Sequence, residues 1–253
     1  MSRYCIFLIL FFITLPLKAS ALISEADSAY MRHDYMSAAK LYEEAIKTEG
    51  VSSELYYNLG NAYYRLGKLG RSIINYERAL RLNPLNDDAI SNLSFVKTKK
   101  LDKEYDNRSF INKITDKILY CFSSNGWAII SLILFILIIS GVISYIFSKN
   151  MTTQKIGFFG GIICIIIFII TLTCAIVSAS IFHNKNYAII LDESVMLSTT
   201  PKIPESHAEE AMLLHEGAKI EIIDSIKTTN TVWYDVKFNN NRAWINANST
   251  EII

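Results

Sequence analysis

The sequence lacks the residue patterns that hold metals, disulfide frameworks or nucleic acids. Its four cysteines have neither metal-site nor disulfide spacing; they are Cys5, Cys121, Cys164 and Cys174. The four histidines are equally scattered. Lys and Arg (25) nearly balance Asp and Glu (24), a formal net charge of +1, whereas binding a phosphate backbone takes clustered cations. We therefore expect no metal, no cofactor, no catalytic site and no nucleic-acid partner.

Charged residues are also missing from two long apolar runs, 127–147 and 157–182. Each reaches the roughly 20 residues that a helix needs to cross a bilayer, and only the turn 148–156 separates them. We predict a transmembrane hairpin. The alternative is a pair of buried helices in a soluble protein, but no other segment is apolar enough to cover them. A chain that crosses twice returns to its starting side, so both flanking segments face one compartment.

The second run begins with a Gly-x-x-x-Gly step at Gly157 and Gly161. Small residues let helices approach closely, and packing within the hairpin is favoured here over oligomerisation. Because neither run contains Asp, Glu, Lys, Arg or His, nothing supports a transport or proton-relay role.

The N-terminal residues 1–21 have the pattern of a secretory signal peptide. Arg3 precedes an apolar run that ends in an A-x-A triplet, 19–21. An uncleaved anchor is the alternative. Either form exports the segment after it, so we predict that both segments flanking the hairpin are extracytoplasmic. Lys149 and Lys155 suit a cytoplasmic hairpin turn.

A 34-residue periodicity marks residues 22–106. The clearest copy, within 50–84, contains Leu59, Gly60, Tyr63, Gly67, Ser72, Tyr76, Ala79 and Pro84. Tyr35, Ala38, Tyr42, Glu43 and Ala45 form an earlier copy. These residues resemble the tetratricopeptide (TPR) repeat, which implies paired antiparallel helices stacked into an α-helical solenoid. A partial third match at Asn92-Leu93 predicts a closing helix.

In the TPR family, first-helix residues line the concave face, which usually binds an extended peptide or a partner's helix. By motif position the resemblance implies a partner-binding face of Tyr30, Tyr57, Asn58, Asn61, Tyr64 and Arg65. The carboxylate clamp of some members is absent, because Ile23, Asp27 and Asp88 occupy places that need Lys or Asn. The alternative is that these side chains only solvate the groove.

A juxtamembrane segment, 107–126, leads into the first apolar run. Its apolar residues recur at helical spacing; they are Phe110, Ile111, Ile114, Ile118, Leu119 and Phe122. This pattern predicts a helix lying in the bilayer interface, and a short strut packed on the solenoid is the alternative. The mixed-charge run before it, 97–106, is predicted to be the solvated end of the closing helix.

From residue 187 onward the apolar period changes to two. The pattern predicts six strands, at 187–191, 195–198, 211–214, 219–223, 232–238 and 242–245. The motifs Leu214-His-Glu-Gly217, Trp233-Tyr-Asp-Val236 and Trp244-Ile245 resemble the bacterial SH3 (SH3b) domain, which implies a small all-β barrel over 187–253. Such domains bind cell-wall peptides or proteins, and Tyr234 and Trp244 are the candidate contacts. The motif nevertheless favours core positions for Trp233 and Trp244.

As a whole, this multi-domain membrane protein is similar to the TPR- and SH3-containing member of the Bacteroides aerotolerance (Bat) operon family, Bat E type. The predicted parts are 1–21, 22–106, 107–126, 127–147, 157–182 and 187–253. The resemblance implies an envelope stress or aerotolerance complex in a bacterial inner membrane, with the folded parts in the periplasm. Its implied partners are von Willebrand A-domain membrane proteins and a MoxR-type ATPase.

This arrangement suits two functions. The first is a non-enzymatic membrane scaffold that holds protein partners through its repeats and barrel. The second is a cell-wall sensor whose barrel binds peptidoglycan. An enzyme is disfavoured, and Glu216 and Asp235 are the acids on which an enzymatic function would depend.

Overall fold

The computed structural model describes residues 21–105, 109–183, 186–228 and 231–253. The predicted signal peptide lies outside the described residues except for Ala21, which begins the first helix. Eight α-helices precede seven strands in the described chain.

Five helices form the N-terminal region, as the 34-residue period predicts. They are α1 (Ala21–Met31), α2 (Tyr35–Glu49), α3 (Ser53–Arg65), α4 (Leu69–Leu82) and α5 (Asp87–Lys97). Side-chain caps fix three starts: Asp34, Ser52 and Asn86 accept the backbone N–H groups three residues ahead. Helices α1 with α2 and α3 with α4 form two pairs, and α5 closes the array.

Small residues bring these helices together. Ala26, Ala38 and Ala79 are fully buried. A Cβ atom on Gly60 would lie only 2.7 Å from Cε1 of Tyr76, so only glycine fits there without a shift of the ring. Tyr76 and the matching Tyr42 of the first copy are buried, and the Tyr42 hydroxyl donates to Asp27 at 2.5 Å. The repeated small and tyrosine positions therefore form the contacts between helices.

Three further helices come next: α6 (Phe110–Leu119), α7 (Ser124–Phe147) and α8 (Met151–His183). Both α7 and α8 begin earlier than predicted, and only 148–150 separate them. By length and composition both helices can cross a membrane. They cross closely at Gly141 and Gly157, where a Cβ on Gly157 would lie 2.7 Å from the Gly141 carbonyl oxygen. The predicted close approach is therefore made within the hairpin at Gly157, whereas a Cβ on Gly161 would meet nothing within 4 Å.

The C-terminal strands form one antiparallel sheet in the order β3-β2-β6-β5-β4-β1-β7. The strands are β1 (Tyr187–Ile190), β2 (Ser194–Ser198), β3 (Glu210–His215), β4 (Lys219–Lys227), β5 (Val232–Phe238), β6 (Asn241–Asn246) and β7 (Thr250–Ile252). All six predicted strands are present, and β7 is an addition that pairs with β1. The core of the sheet includes Ile190, Leu197, Ile220, Val236 and Ile245.

The segment after α5 differs from its prediction. The helix ends at Lys97, and 98–105 runs instead against the sheet. Asp102 accepts the backbone N–H of His215 at 2.6 Å, and Asn239 accepts the backbone N–H of Tyr105 at 2.9 Å. The prediction of a solvated helix end was wrong because mixed charge is equally compatible with ion pairs and caps on a neighbouring domain.

Candidate functional site

The first helices of the repeats enclose a groove of about 340 Å³. We call it the repeat groove, and it is lined by Tyr30, Tyr57, Asn61, Tyr64, Arg65, Tyr76, Asn92, Phe95 and Val96. Five of the six predicted partner-binding residues are among them. The motif positions of the family thus converge on one surface between α1, α3 and α5.

A hydrogen-bond network fixes the floor of the repeat groove. The Tyr76 hydroxyl donates to Oδ1 of Asn61 at 2.6 Å, and Nδ2 of Asn92 donates to the same oxygen at 2.8 Å. Burial raises the pKa of Tyr76 to about 12, so its hydroxyl stays a neutral donor at physiological pH. Because Asn92 also reaches the Tyr57 hydroxyl, α5 is held at a set distance from α3.

Aromatic rings and one cation form the accessible wall. Tyr64 and Phe95 meet edge to face with ring centroids 5.9 Å apart, and half of Phe95 is exposed. Arg65 is exposed, and its guanidinium carbon lies 6.0 Å from the ring centroid of Tyr35. Such a wall can bury an apolar side chain and hold an anionic group beside it.

The sixth predicted residue, Asn58, lies in an adjoining cavity at the first turns of α3 and α5. We call this cavity the acidic groove, and it is lined by Ser52, Ser53, Glu54, Tyr57, Asn58, Asn83, Asn86, Asp87 and Asp88. Tyr57 lines both grooves. The predicted face is therefore divided between an aromatic part and an acidic part.

Four residues that line the repeat groove lie outside the predicted face. Tyr76 and Val96 belong to the buried cluster beneath it, and Asn92 and Phe95 of α5 were missed by the sequence reasoning. The third match ended at Asn92-Leu93, so no binding face was projected onto the closing helix. The same 34-residue offset would have found both residues, because it relates Asn58 to Asn92 and Asn61 to Phe95.

A second surface of α4 and α5 is covered by the sheet. One apolar cluster combines Ile73, Leu93 and Val96 of the helices with Ile189 and Ile253 of the sheet region, all buried. We call this contact the docking interface. Helix α5 therefore contributes to the repeat groove and to the docking interface at once.

Charged groups surround the apolar part of the docking interface. The Glu77 side chain is only 17% exposed and accepts from Lys97 at 2.7 Å and from Lys219 of β4 at 3.3 Å. Burial by itself would raise the pKa of Glu77, but the ammonium groups of Lys219 and Lys97 outweigh it and hold the pKa at about 2. Arg78 and Arg81 donate to the backbone carbonyls of Ile252 and Ile253, both at 2.8 Å.

The backbones of the two parts approach each other closely at Gly70. Its N–H donates to Oε1 of Glu216 at 2.9 Å, and a Cβ at this position would lie 2.6 Å from the carbonyl oxygen of Ile190. Gly217, at φ +87°, faces Ile73 across the same contact. The surface of α4 and the facing surface of the sheet region therefore fit closely against each other.

Tyr234 and Trp244, the candidate contacts of the sheet, do not share a face. Tyr234 packs against the core of the sheet, next to Ile245 on β6. Trp244 is half-buried and pairs with Asp235 on the opposite face. The structure therefore gives these two residues no common binding patch.

The two acids on which an enzymatic function would depend both have structural partners. Glu216 accepts the Gly70 N–H, and burial raises its pKa. Asp235 is buried and is held by Arg242 through Nε at 2.8 Å. In the part of the chain that the structure describes, no group of three His, Cys, Asp or Glu residues is placed to hold a metal ion.

Comparison with known proteins finds matches for the first helices of the chain. Residues 23–87 match the family described as Tetratricopeptide repeat. Over 66 residues the chain is 33% identical to Protein SGT1 homolog of Oryza sativa subsp. japonica, a stretch that is 26% of this chain and 18% of that protein. The chain thus spans less than a fifth of that relative's length. Repeats of this family are protein-interaction modules, and no enzyme family is indicated.

Proposed function

We propose that this protein is a non-enzymatic, membrane-anchored scaffold that holds protein partners on one side of a bilayer. The observation that carries the proposal is the docking interface, which joins the repeats before the hairpin to the sheet after it. Since these parts pack as one body, the groove and the sheet present a single composite surface. A repeat groove whose floor is fixed by hydrogen bonds suits the binding of a partner.

The exposure of α7 and α8 supports their insertion into a membrane. Only 6% of the most apolar stretch of α7 and 11% of the most apolar stretch of α8 is buried inside the protein. The core helices of a soluble protein would be covered. A helical hairpin leaves both of its ends on one side, which is also what the docking interface needs. The contact between repeats and sheet thus agrees with two membrane crossings.

Helix α6 supports the same anchoring. Its residues Phe110, Ile111 and Ile118 are exposed, while Leu119 is buried and its carbonyl oxygen accepts from Trp127 Nε1 at 3.1 Å. An apolar face exposed beside the start of α7 suits a helix lying in the bilayer interface more than a strut on the solenoid.

The finer parts of the proposal rest on the sequence resemblances. They are an SH3b-type barrel for the sheet, a periplasmic location, and work beside von Willebrand A-domain proteins and a MoxR-type ATPase in a Bat-type complex. Peptidoglycan recognition by the sheet has less support, because Tyr234 and Trp244 face opposite ways.

Removing the aromatic wall is expected to release the partner. We expect the double substitution Tyr64→Ala and Phe95→Ala to lower crosslinked partner recovered from native membranes at least tenfold. Two aromatic rings would lose their contact with the ligand, at about 1–2 kcal/mol each. Quantitative mass spectrometry of the captured full-length chain measures this.

The matched control is Lys47→Ala, an exposed residue of α2 outside both grooves. It should recover partner at the wild-type level. Equal recovery with the double variant and the wild type, both folded by circular dichroism, would contradict a scaffold that acts through the repeat groove.

A further inference from the structure

We propose that the repeat groove and the acidic groove together bind one extended peptide segment with charges of opposite sign at its two ends. This inference rests on the proposed function and names the chemistry of the partner. An acidic residue of the segment lies at Arg65, an apolar side chain covers Phe95, and a basic residue lies at the first turns of α3 and α5.

The two cavities form one continuous path. Tyr57 lines both, the acidic groove lies at the first turns of α3 and α5, and the repeat groove lies along their later turns. From Glu54 to Arg65 the helical rise of about 1.5 Å per residue gives about 16 Å. An extended chain covers that distance in about five residues, at about 3.3 Å each.

The two ends of this path carry opposite charge. Glu54, Asp87 and Asp88 are exposed at one end, and Arg65 is exposed at the other. Within the described ranges none of these four takes part in an ion pair. Lys99 adds a cation 5.1 Å from the Phe95 ring centroid. A ligand of matching polarity would pair its charges at both ends.

The middle of the path is apolar. Phe95 is half exposed and stands edge to face with Tyr64, while Oδ1 of Asn61 already accepts from Tyr76 and Asn92. Covering Phe95 removes apolar surface from water, which stabilises a complex without sequence-specific hydrogen bonds. We therefore assign this region to one aliphatic or aromatic side chain of the segment.

Three labelled peptides test the charge rule on the full chain in nanodiscs at low salt. Each is seven residues long, capped at both ends, with Leu at the centre and Ser elsewhere. The end residues are Glu and Lys, Lys and Lys, or Glu and Glu. Fluorescence anisotropy should give the mixed peptide a Kd about three- to fivefold below the other two, as expected for one additional exposed ion pair.

Charge reversal of one end should change the preference in a defined way. With Arg65→Glu and Lys99→Glu together both ends of the path are acidic, so the Lys–Lys peptide should become the tightest ligand by a similar factor. With Asp87→Lys and Asp88→Lys together, the Glu–Glu peptide should become the tightest ligand. Circular dichroism establishes that each variant is folded. A folded variant should also bind its own preferred peptide as tightly as the wild type binds the mixed peptide.

The outcomes separate this inference from the proposed function. Equal affinity for all three peptides, in the wild type and in both variants, would overturn the charge rule and leave peptide binding by the groove intact; the charges would then serve only the helix ends. Binding of no peptide by the wild type or by either variant would overturn both the charge rule and the peptide-binding groove.

Discussion

Replacing Glu77 with lysine is expected to separate the β-sheet from the helical repeats. The carboxylate lies between the ammonium groups of Lys97 and Lys219 and is 17% exposed. Glu77→Lys puts three ammonium groups together in a mostly desolvated position. Breaking a buried ion pair costs about 3–5 kcal/mol, and we expect the free energy of unfolding to fall by about that amount.

Urea unfolding of the full chain in detergent measures the loss in the free energy of unfolding. Trypsin cleavage shows where in the chain the structure has opened. The Lys100 side chain is 7% exposed against the sheet, so cleavage after it should become fast once the sheet undocks. Glu44→Lys makes the same charge change on the exposed surface of α2 and should leave stability and cleavage unchanged. A stable, protease-resistant Glu77→Lys protein would show that this ion pair does not hold the two parts together.

Adding one methyl group at Gly70 is expected to have the second largest effect. The Cβ of Gly70→Ala would lie 2.6 Å from the carbonyl oxygen of Ile190, and a backbone atom cannot turn aside as a side chain can. Overpacking of this kind costs about 1–3 kcal/mol, although alanine by itself favours a helix by about 1 kcal/mol. We expect weaker docking, again seen as faster cleavage after Lys100.

Gly160→Ala is the matched control. It adds the same methyl group to a helix at a point where nothing lies within 4 Å. We expect trypsin to cleave Gly160→Ala after Lys100 at the wild-type rate. We expect it to cleave Gly70→Ala faster. Unchanged cleavage in both would mean that β1 does not approach α4 as closely as described.

The sequence predicted the elements whose signal is periodic. The 34-residue period specified five helices, because Gly60 and the repeated tyrosines are the contacts that pack a repeat. The boundaries of α8 were less accurate. Apolarity marked its start at Gly157, but the helix begins at Met151, since the intervening polar residues are compatible with a helix and only lower its hydropathy.

The sheet shows where local patterns are insufficient. Trp233 was expected in the core, yet it lies three residues before Val236 on β5, and residues three apart on a regular strand point to opposite faces. Tyr234 and Val236 face the core, and Trp233 is buried on the other side. Strand β7 was missed because three residues after an Asn-rich turn give no alternation to detect.

The docking interface was beyond the reach of sequence reasoning. Gly70 and Glu216 are 146 residues apart, and nothing in either local pattern links them. Ile73 and Ile189 likewise have the periodicity of core residues in their own domains, so a shared interface gives the same signal as two separate cores. The candidate groove was predictable because its residues repeat, whereas the docked sheet occurs once.

Cysteine labelling in intact spheroplasts tests most directly whether the repeats and the sheet lie on the same side of the membrane. The four native cysteines are first replaced by serine. Lys47→Cys and Lys227→Cys report on the repeats and the sheet, and Lys149→Cys reports on the hairpin turn; all three positions are exposed. A membrane-impermeant maleimide should label the first two at once and the third only after permeabilisation. Labelling of only one of the first two before permeabilisation would contradict a scaffold whose folded parts meet on one side of the membrane.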